Sequence, residues 1–135
     1  FCFSPAPAPT ALSTLALPAA LPICADRIAA NGDAANKIGT LNLAILCQYF
    51  SIPFYVAVPL STFDVRTDSG KDIVIEERDG SEVTEFAGQQ IAPDGVAARS
   101  PAFDVTPNNL ISGIITDAGL LQAPYKDAIA NVMAG

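Results

Sequence analysis

Residues 36–58, with the sequence NKIGTLNLAILCQYFSIPFYVAV, decide the fold of this chain. Between positions 36 and 50, apolar residues recur on more than one side of a helix, which is typical of a helix packed between a sheet and other elements. Ser51-Ile52-Pro53 ends that helix, because the residue before a proline disfavours the α conformation. The apolar run at 54–58 has no polar alternation, which predicts a short strand buried on both faces of a parallel sheet.

Short apolar strands that alternate with helices predict an α/β protein with a Rossmann-like, mostly parallel sheet flanked by helices. The loop at 59–64 follows the central strand, at the sheet edge where open α/β sheets bind ligands. Thr106-Pro107 is typical of a helix start, with a hydroxyl cap before a proline. Beyond residue 60, we expect extended runs at 73–75 and 102–105, a helical turn at 81–84, an excursion loop at 87–99, and helices at 108–116 and 124–132.

Composition limits the class of protein. A chain of 135 residues with 50% hydrophobic residues suits one domain with a core, and a net charge of −7 argues against a nucleic-acid-binding surface. Its three cysteines, Cys2, Cys24 and Cys47, have no metal-like spacing, and histidine is absent. We therefore expect no metal site and reduced thiols in a cytoplasmic protein, with Cys47 in the core.

The first 23 residues differ in composition from the rest. They contain no charged side chain and five of the eleven prolines. Their apolar piece at 11–23 is interrupted by Pro18, is too short to span a bilayer and lacks the basic start of a signal peptide. We expect residues 1–23 to be poorly ordered or to form short irregular helix, and residues 24–135 to form the α/β domain.

Polar side chains gather at 26–40, before the apolar helix. Asp26 follows the apolar piece 21–25, so it is predicted at the carboxyl end of a strand, where a carboxylate can act as a general acid. Asp33 is more simply a cap of the following helix, and a cap remains an alternative for Asp26 as well. Asn36 and Lys37, at the start of that helix, could form a phosphate cradle with its free amides, or a solvated first turn.

Six blocks of the sequence carry a family resemblance, namely DRIAANGD at 26–33, NKIGT at 36–40, IPFYVA at 52–57, PLSTFD at 59–64, IEER at 75–78 and PAFDVTP at 101–107. Together these blocks resemble the methylthioribose-1-phosphate isomerases. This group belongs to a superfamily with ribose-1,5-bisphosphate isomerase and the regulatory α, β and δ subunits of initiation factor 2B. The resemblance implies an aldose–ketose isomerase of methionine salvage that converts 5-methylthioribose 1-phosphate to 5-methylthioribulose 1-phosphate as a homodimer, without metal or nucleotide cofactor.

By position in these blocks, Asp26 matches the proton donor of the family, and Asn36 and Lys37 match its substrate-binding pair. The family's catalytic cysteine and an Arg-Gly-Ala phosphate loop have no counterpart here, and Cys24 stands where glycine is usual. We therefore expect a C-terminal fragment with an incomplete domain and little or no activity by itself. The alternatives are a non-catalytic, sugar-phosphate-binding or regulatory subunit of the initiation factor 2B type, and a fragment that folds poorly.

Overall fold

Two four-stranded sheets make up most of the structure, a computed structural model that describes residues 20–134. The strands are β1 (Leu21–Cys24), β2 (Arg27–Ala29), β3 (Ala34–Lys37), β4 (Phe54–Ala57), β5 (Phe63–Asp64), β6 (Glu85–Phe86), β7 (Gln89–Gln90), β8 (Phe103–Thr106), β9 (Gly113–Thr116) and β10 (Gly119–Leu121). The helices are α1 (Thr40–Tyr49), α2 (Ser81–Thr84) and α3 (Tyr125–Ala134), with single 3₁₀ turns at Leu60–Thr62, Gly70–Asp72 and Asn108–Leu110.

The first sheet has the order β1-β4-β9-β10 and contains the main core. Its first three strands are parallel and β10 is antiparallel to β9. Phe54 and Val56 of β4 are buried together with Cys47 of α1 and Ile129 of α3. The predictions of a helix, a strand and a final helix in these three places are confirmed, as is a core position for Cys47. Burial of β4 on both faces is only partial, because Phe54 and Val56 are buried whereas Tyr55 and Ala57 are half-buried.

The second sheet has the order β5-β2-β3-β8, and here only β2 and β5 run parallel. A small core of Ala29, Ala35 and Ile73 packs on one of its faces. The α/β class is confirmed, with sheets that mix parallel and antiparallel pairs. Strands of two to four residues are too short to give a periodic signal, so the sequence did not separate this sheet from the first.

Several predicted boundaries are wrong. The helix predicted from residue 36 begins at Thr40, because residues 34–37 pair with β2 and β8. Residues 73–75 lie outside the strands. The helix predicted at 108–116 is one 3₁₀ turn followed by β9, which pairs with β4 in the first sheet. Thr106 is the last residue of β8 and is fully buried. Its hydroxyl has no hydrogen-bond partner among the described residues, so Thr106 is not a helix cap.

The segment predicted to be poorly ordered overlaps the first sheet. β1 contains residues 21–23 and pairs with β4, and the Leu21 amide donates to the Pro53 carbonyl at 2.9 Å. Residues 1–19, with Cys2, lie outside the described residues, so the prediction for them stays a prediction. Among the residues that are described, no helix has the length and apolar character needed to cross a bilayer.

Gly32, in the turn between β2 and β3, packs directly against the side chain of Tyr125 in α3. Its φ is +90°, and a Cβ added there would lie 2.6 Å from the Cβ of Tyr125. Gly32→Ala is therefore expected to lower the free energy of unfolding by about 2–3 kcal/mol, since left-handed strain and overlap add. Urea denaturation measures the loss. Gly95→Ala is the matched control, because Gly95 has a φ of +78° with open space around it. Equal losses in the two variants would contradict the contact with Tyr125.

Candidate functional site

Asp26 lies just beyond β1, at the carboxyl end of this parallel strand, as the sequence predicts. Its amide donates to the Ala35 carbonyl at 2.9 Å. β2 and β3 pair with Arg27 opposite Ala35, so continuing that register by one residue brings Asp26 opposite Asn36. Asp26 is exposed and borders two clefts, which makes its carboxyl group accessible to a small ligand.

The first cleft, called the apolar cleft below, has a volume of about 240 Å³. It lies between the second sheet and the segment 73–76, and its floor includes the buried side chains of Ala35 and Ile73. The three charged residues that line this cleft, Asp26, Arg27 and Glu76, are all exposed. Its lining residues are Asp26, Arg27, Ala35, Ile73, Val74, Ile75, Glu76 and Phe103.

The second cleft, called the polar cleft, has a volume of about 400 Å³ and includes part of the loop that follows β4. Asp64 lies in it, with Arg27 and Arg66 each 3.7 Å away. A hydrogen bond from Thr67, assisted by the Arg66 amide and both guanidinium charges, holds the pKa of Asp64 below its ordinary value. The lining residues are Asp26, Arg27, Ser61, Thr62, Phe63, Asp64, Val65 and Arg66.

Asn36 and Lys37 lie in β3 rather than in the first turn of α1, so the predicted placement of this pair is wrong. Successive strand residues point to opposite faces of a sheet. The Asn36 amide donates to the Thr40 hydroxyl at 3.0 Å, on the α1 side. The Lys37 ammonium lies 5.8 Å from the centre of the Phe103 ring, on the side of the apolar cleft. The two side chains therefore face different surroundings.

The start of α1 is already occupied by a carboxylate. Asp104 of β8 accepts hydrogen bonds from the amides of Gly39 at 2.7 Å and Leu41 at 3.1 Å. A phosphate at this helix start would lie against the like charge of Asp104 and compete for the same amides. The phosphate cradle predicted from the helix-start amides is thus unfavourable. Asp104 was missed because its hydrogen-bond partners lie 63 and 65 positions away in the sequence.

Asp33 does not cap α1. Its carboxylate instead joins its own turn to the segments at Gly70 and Asn108 through hydrogen bonds. Its carboxylate accepts from the Asn31 amide at 2.9 Å, from the Gly70 backbone at 2.9 Å, and from the backbone and side chain of Asn108 at 2.8 and 3.0 Å. Burial alone would raise the pKa of Asp33, but these hydrogen bonds outweigh it and hold the pKa below its ordinary value. Asp33 therefore fixes the loop that leads to the apolar cleft.

The two thiols in the described part of the chain have different environments. Cys47 is buried in the main core, and burial raises the pKa of its thiol. Cys24 is exposed at the end of β1, two residues before Asp26. Within residues 20–134, no three or more side chains of the His, Cys, Asp and Glu types converge in a way that could hold a metal ion.

Comparison with known proteins gives a consistent result. The sequence profile of the initiation factor 2 subunit family matches residues 20–123. A methylthioribose-1-phosphate isomerase of Bacillus cereus is 61% identical over 113 residues, which are 84% of this chain and 32% of that protein. The chain thus spans about a third of the length of this curated relative.

Two solved structures share the fold. The crystal structure of 5-methylthioribose 1-phosphate isomerase from Pyrococcus horikoshii matches with a TM-score of 0.79 and 50% identity, over 85% of this chain and 32% of that one. The translation initiation factor eIF-2B, subunit delta, from A. fulgidus matches with a TM-score of 0.77 and 38% identity, over 87% of this chain and 34% of that one. The fold is similar to both, and the identity is higher to the isomerase.

Proposed function

Because this chain belongs to the initiation factor 2 subunit family, we propose that it is part of an isomerase that converts 5-methylthioribose 1-phosphate to 5-methylthioribulose 1-phosphate. The identity of 61% to a Bacillus cereus protein of that name carries the proposal. The fold by itself does not distinguish an isomerase from a regulatory subunit, because the chain matches an isomerase structure with a TM-score of 0.79 and an initiation factor subunit with one of 0.77. The sequence favours the isomerase over the regulatory subunit.

In this proposal Asp26 is the general acid. The sugar must open its furanose ring before C1 and C2 exchange oxidation level, and a positioned carboxyl group can protonate the ring oxygen and then assist proton or hydride movement. The position of Asp26 beyond β1, exposed and bordering both clefts, supports this role.

Lys37 and Asn36 are the proposed substrate-binding residues. The Lys37 ammonium lies 5.8 Å from the ring centre of Phe103, a lining residue of the apolar cleft, and supplies positive charge for the phosphate. Asn36 is opposite Asp26, the proposed acid, in the continued register, which supports its role beside that residue. Its amide donates to the Thr40 hydroxyl, which donates in turn to the Lys37 carbonyl and so fixes the turn after Lys37. The resemblance also supports a homodimer in the cytoplasm, which sedimentation velocity and cell fractionation would test.

A graft into a relative tests the proposed function. The 113 matched residues of the Bacillus cereus isomerase would be replaced with those of this chain. We expect turnover of 5-methylthioribose 1-phosphate within about tenfold of the relative's kcat/KM, because the acid and the binding residues are retained. The 135-residue chain by itself is expected to show little or no turnover, because it spans 32% of that relative's length.

The matched control is the corresponding graft from the A. fulgidus initiation factor subunit, which is 38% identical to this chain. That chimera is expected to fold without isomerase activity. A folded graft of the present chain that is equally inactive would contradict the proposed function, and circular dichroism checks folding in both. Clear turnover by the 135-residue chain alone would contradict the expectation of an inactive fragment.

A further inference from the structure

The two proposed substrate-binding residues lie directly before a short link between β3 and α1. Asn36 and Lys37 end β3, and only Ile38 and Gly39 separate them from the helix. Side-chain packing does not hold this link, because Ile38 is about half exposed and Gly39 has open space where a Cβ would lie. The shape of the link, with a φ of +104° at Gly39, therefore depends on hydrogen bonds.

The carboxylate of Asp104 in β8 joins this link to the first turn of α1. One of its oxygens accepts from the Gly39 amide at 2.7 Å, and the other accepts from the Leu41 amide at 3.1 Å. The N-cap residue of α1 is Gly39, which has no side chain to cap the helix, so Asp104 takes that place from a distant strand. No ion pair in the described part of the chain involves Asp104. Its two oxygens therefore act on the backbone of the turn.

Strand register aligns β8 with the binding pair. Asp104 is paired with Asn36, and Phe103 is paired with Lys37. Paired residues share a face of the sheet, so Asp104 lies on the face of Asn36 and Phe103 lies on the face of Lys37. The Lys37 ammonium accordingly lies 5.8 Å from the centre of the Phe103 ring. Each binding residue thus has a neighbour on β8.

A short series of hydrogen bonds connects Asp104 to both binding residues. The two amides that Asp104 holds flank Thr40, which is buried. The Thr40 hydroxyl accepts from the Asn36 side-chain amide at 3.0 Å and donates to the Lys37 carbonyl at 2.8 Å. A shift of the turn at residues 39–41 would therefore move the partner of the Asn36 amide and the backbone of Lys37 together.

We propose that Asp104 is a positioning residue of the proposed isomerase, which sets the orientations of Asn36 and Lys37 by holding the turn that follows them. The inference rests on the proposed function and adds to it a residue that acts through the binding pair rather than on the substrate. A carboxylate that only stabilised α1 would affect folding alone. A positioning carboxylate also affects how tightly the folded enzyme binds its substrate.

Asp104→Asn in the Bacillus cereus graft tests the inference. Asparagine keeps the shape of the side chain but has a single oxygen, so one of the two backbone amides of the turn loses its acceptor. We expect kcat/KM for 5-methylthioribose 1-phosphate to fall by about 10- to 100-fold, as for a small misplacement of substrate-positioning groups. The loss is expected mainly in KM, because the proposed acid, Asp26, is untouched.

The side-chain amide of Asn36 gives a readout that does not depend on turnover. In ¹⁵N nuclear magnetic resonance spectra of the whole 135-residue chain, its signals are expected to shift in Asp104→Asn. Asp104→Glu keeps the charge at the start of α1 but lengthens the side chain by one methylene. We expect this variant to fold and still to raise KM and shift the Asn36 signals, so it carries the test if Asp104→Asn does not fold.

Gly32→Ala is the matched control for lost stability. It strains the contact with Tyr125 at the opposite end of β3 from the binding pair, so KM and the Asn36 signals are expected to stay unchanged. Equal rises of KM in Gly32→Ala and Asp104→Asn would assign the effect to lost stability and overturn the inference.

Two further outcomes separate the inference from the proposed function. An active graft whose KM stays within about twofold in Asp104→Asn and Asp104→Glu would overturn only the inference. An inactive graft would overturn the proposed function, and the Asn36 signals would then decide the positioning role: unshifted signals in Asp104→Asn would overturn it, and shifted signals would support it.

Discussion

Asp26→Asn in the Bacillus cereus graft is expected to lower kcat by about 10²- to 10⁴-fold, the range that a positioned general acid contributes. Asparagine has nearly the shape of aspartate but cannot give up a proton to the ring oxygen. Because Asp26 is exposed and outside the core, the substitution leaves folding unchanged. Steady-state kinetics measures kcat and KM separately, and a fall in kcat with a nearly constant KM is the expected signature.

The control for Asp26→Asn is Asp68→Asn in the same graft. Asp68 is also an exposed aspartate, but it borders neither cleft, so its substitution is expected to change kcat by less than about twofold. Equal kcat values for the two variants would contradict the assignment of Asp26 as the acid. The functional proposal would then need another proton donor on the rim of a cleft, and Glu76 is the remaining carboxylate of the apolar cleft.

The sequence predicted those elements whose signal is local. The continuous apolar run of β4, the apolar helix α1 ended by Ser51-Ile52-Pro53, and the final helix α3 are each determined by residues within the element itself. The second sheet depends on pairings between β3 and β8, whose residues lie about seventy positions apart. Such pairings leave no periodic pattern in strands of four residues, so Asn36 and Lys37 were assigned to the neighbouring helix.

The candidate site was predictable to the same extent. Asp26 could be placed after a strand because an apolar run precedes it. The hydrogen bonds of Asp104 to the start of α1, and of Asn108 to Asp33, join distant segments, so no motif could reveal them. The position of Arg27 across from Ala35 likewise depends on strand register. Register is a property of the folded sheet, which is why the sequence placed positive charge only at Lys37.

Asp33→Ala is expected to lower the free energy of unfolding by about 3 kcal/mol. A hydrogen bond to a charged group contributes about 1.5–3 kcal/mol, and the Asp33 carboxylate accepts four, whose effects are not additive. Its removal leaves the amides of Gly70 and Asn108 without their acceptor. Urea denaturation measures the loss. Asp79→Ala is the control, because Asp79 is exposed and its carboxylate accepts hydrogen bonds from its neighbour Ser81 alone, so we expect a change of at most about 0.5 kcal/mol.

The pH dependence of unfolding tests whether the charge of Asp33 is what stabilises the fold. The folded state holds the pKa of Asp33 below its ordinary value, so this stabilisation is complete above the unfolded pKa of about 3.9 and is lost as the pH falls through the folded pKa. Between pH 7 and pH 3 the urea midpoint of the unsubstituted chain is expected to fall further than that of Asp33→Asn, which has no charge to lose. Equal falls in the two proteins would show that Asp33 acts only through its shape. Asp79→Asn is the control, because Asp79 is an exposed turn aspartate whose pKa is also lowered. A smaller fall of the urea midpoint in Asp33→Asn than in Asp79→Asn would assign the acid sensitivity to Asp33.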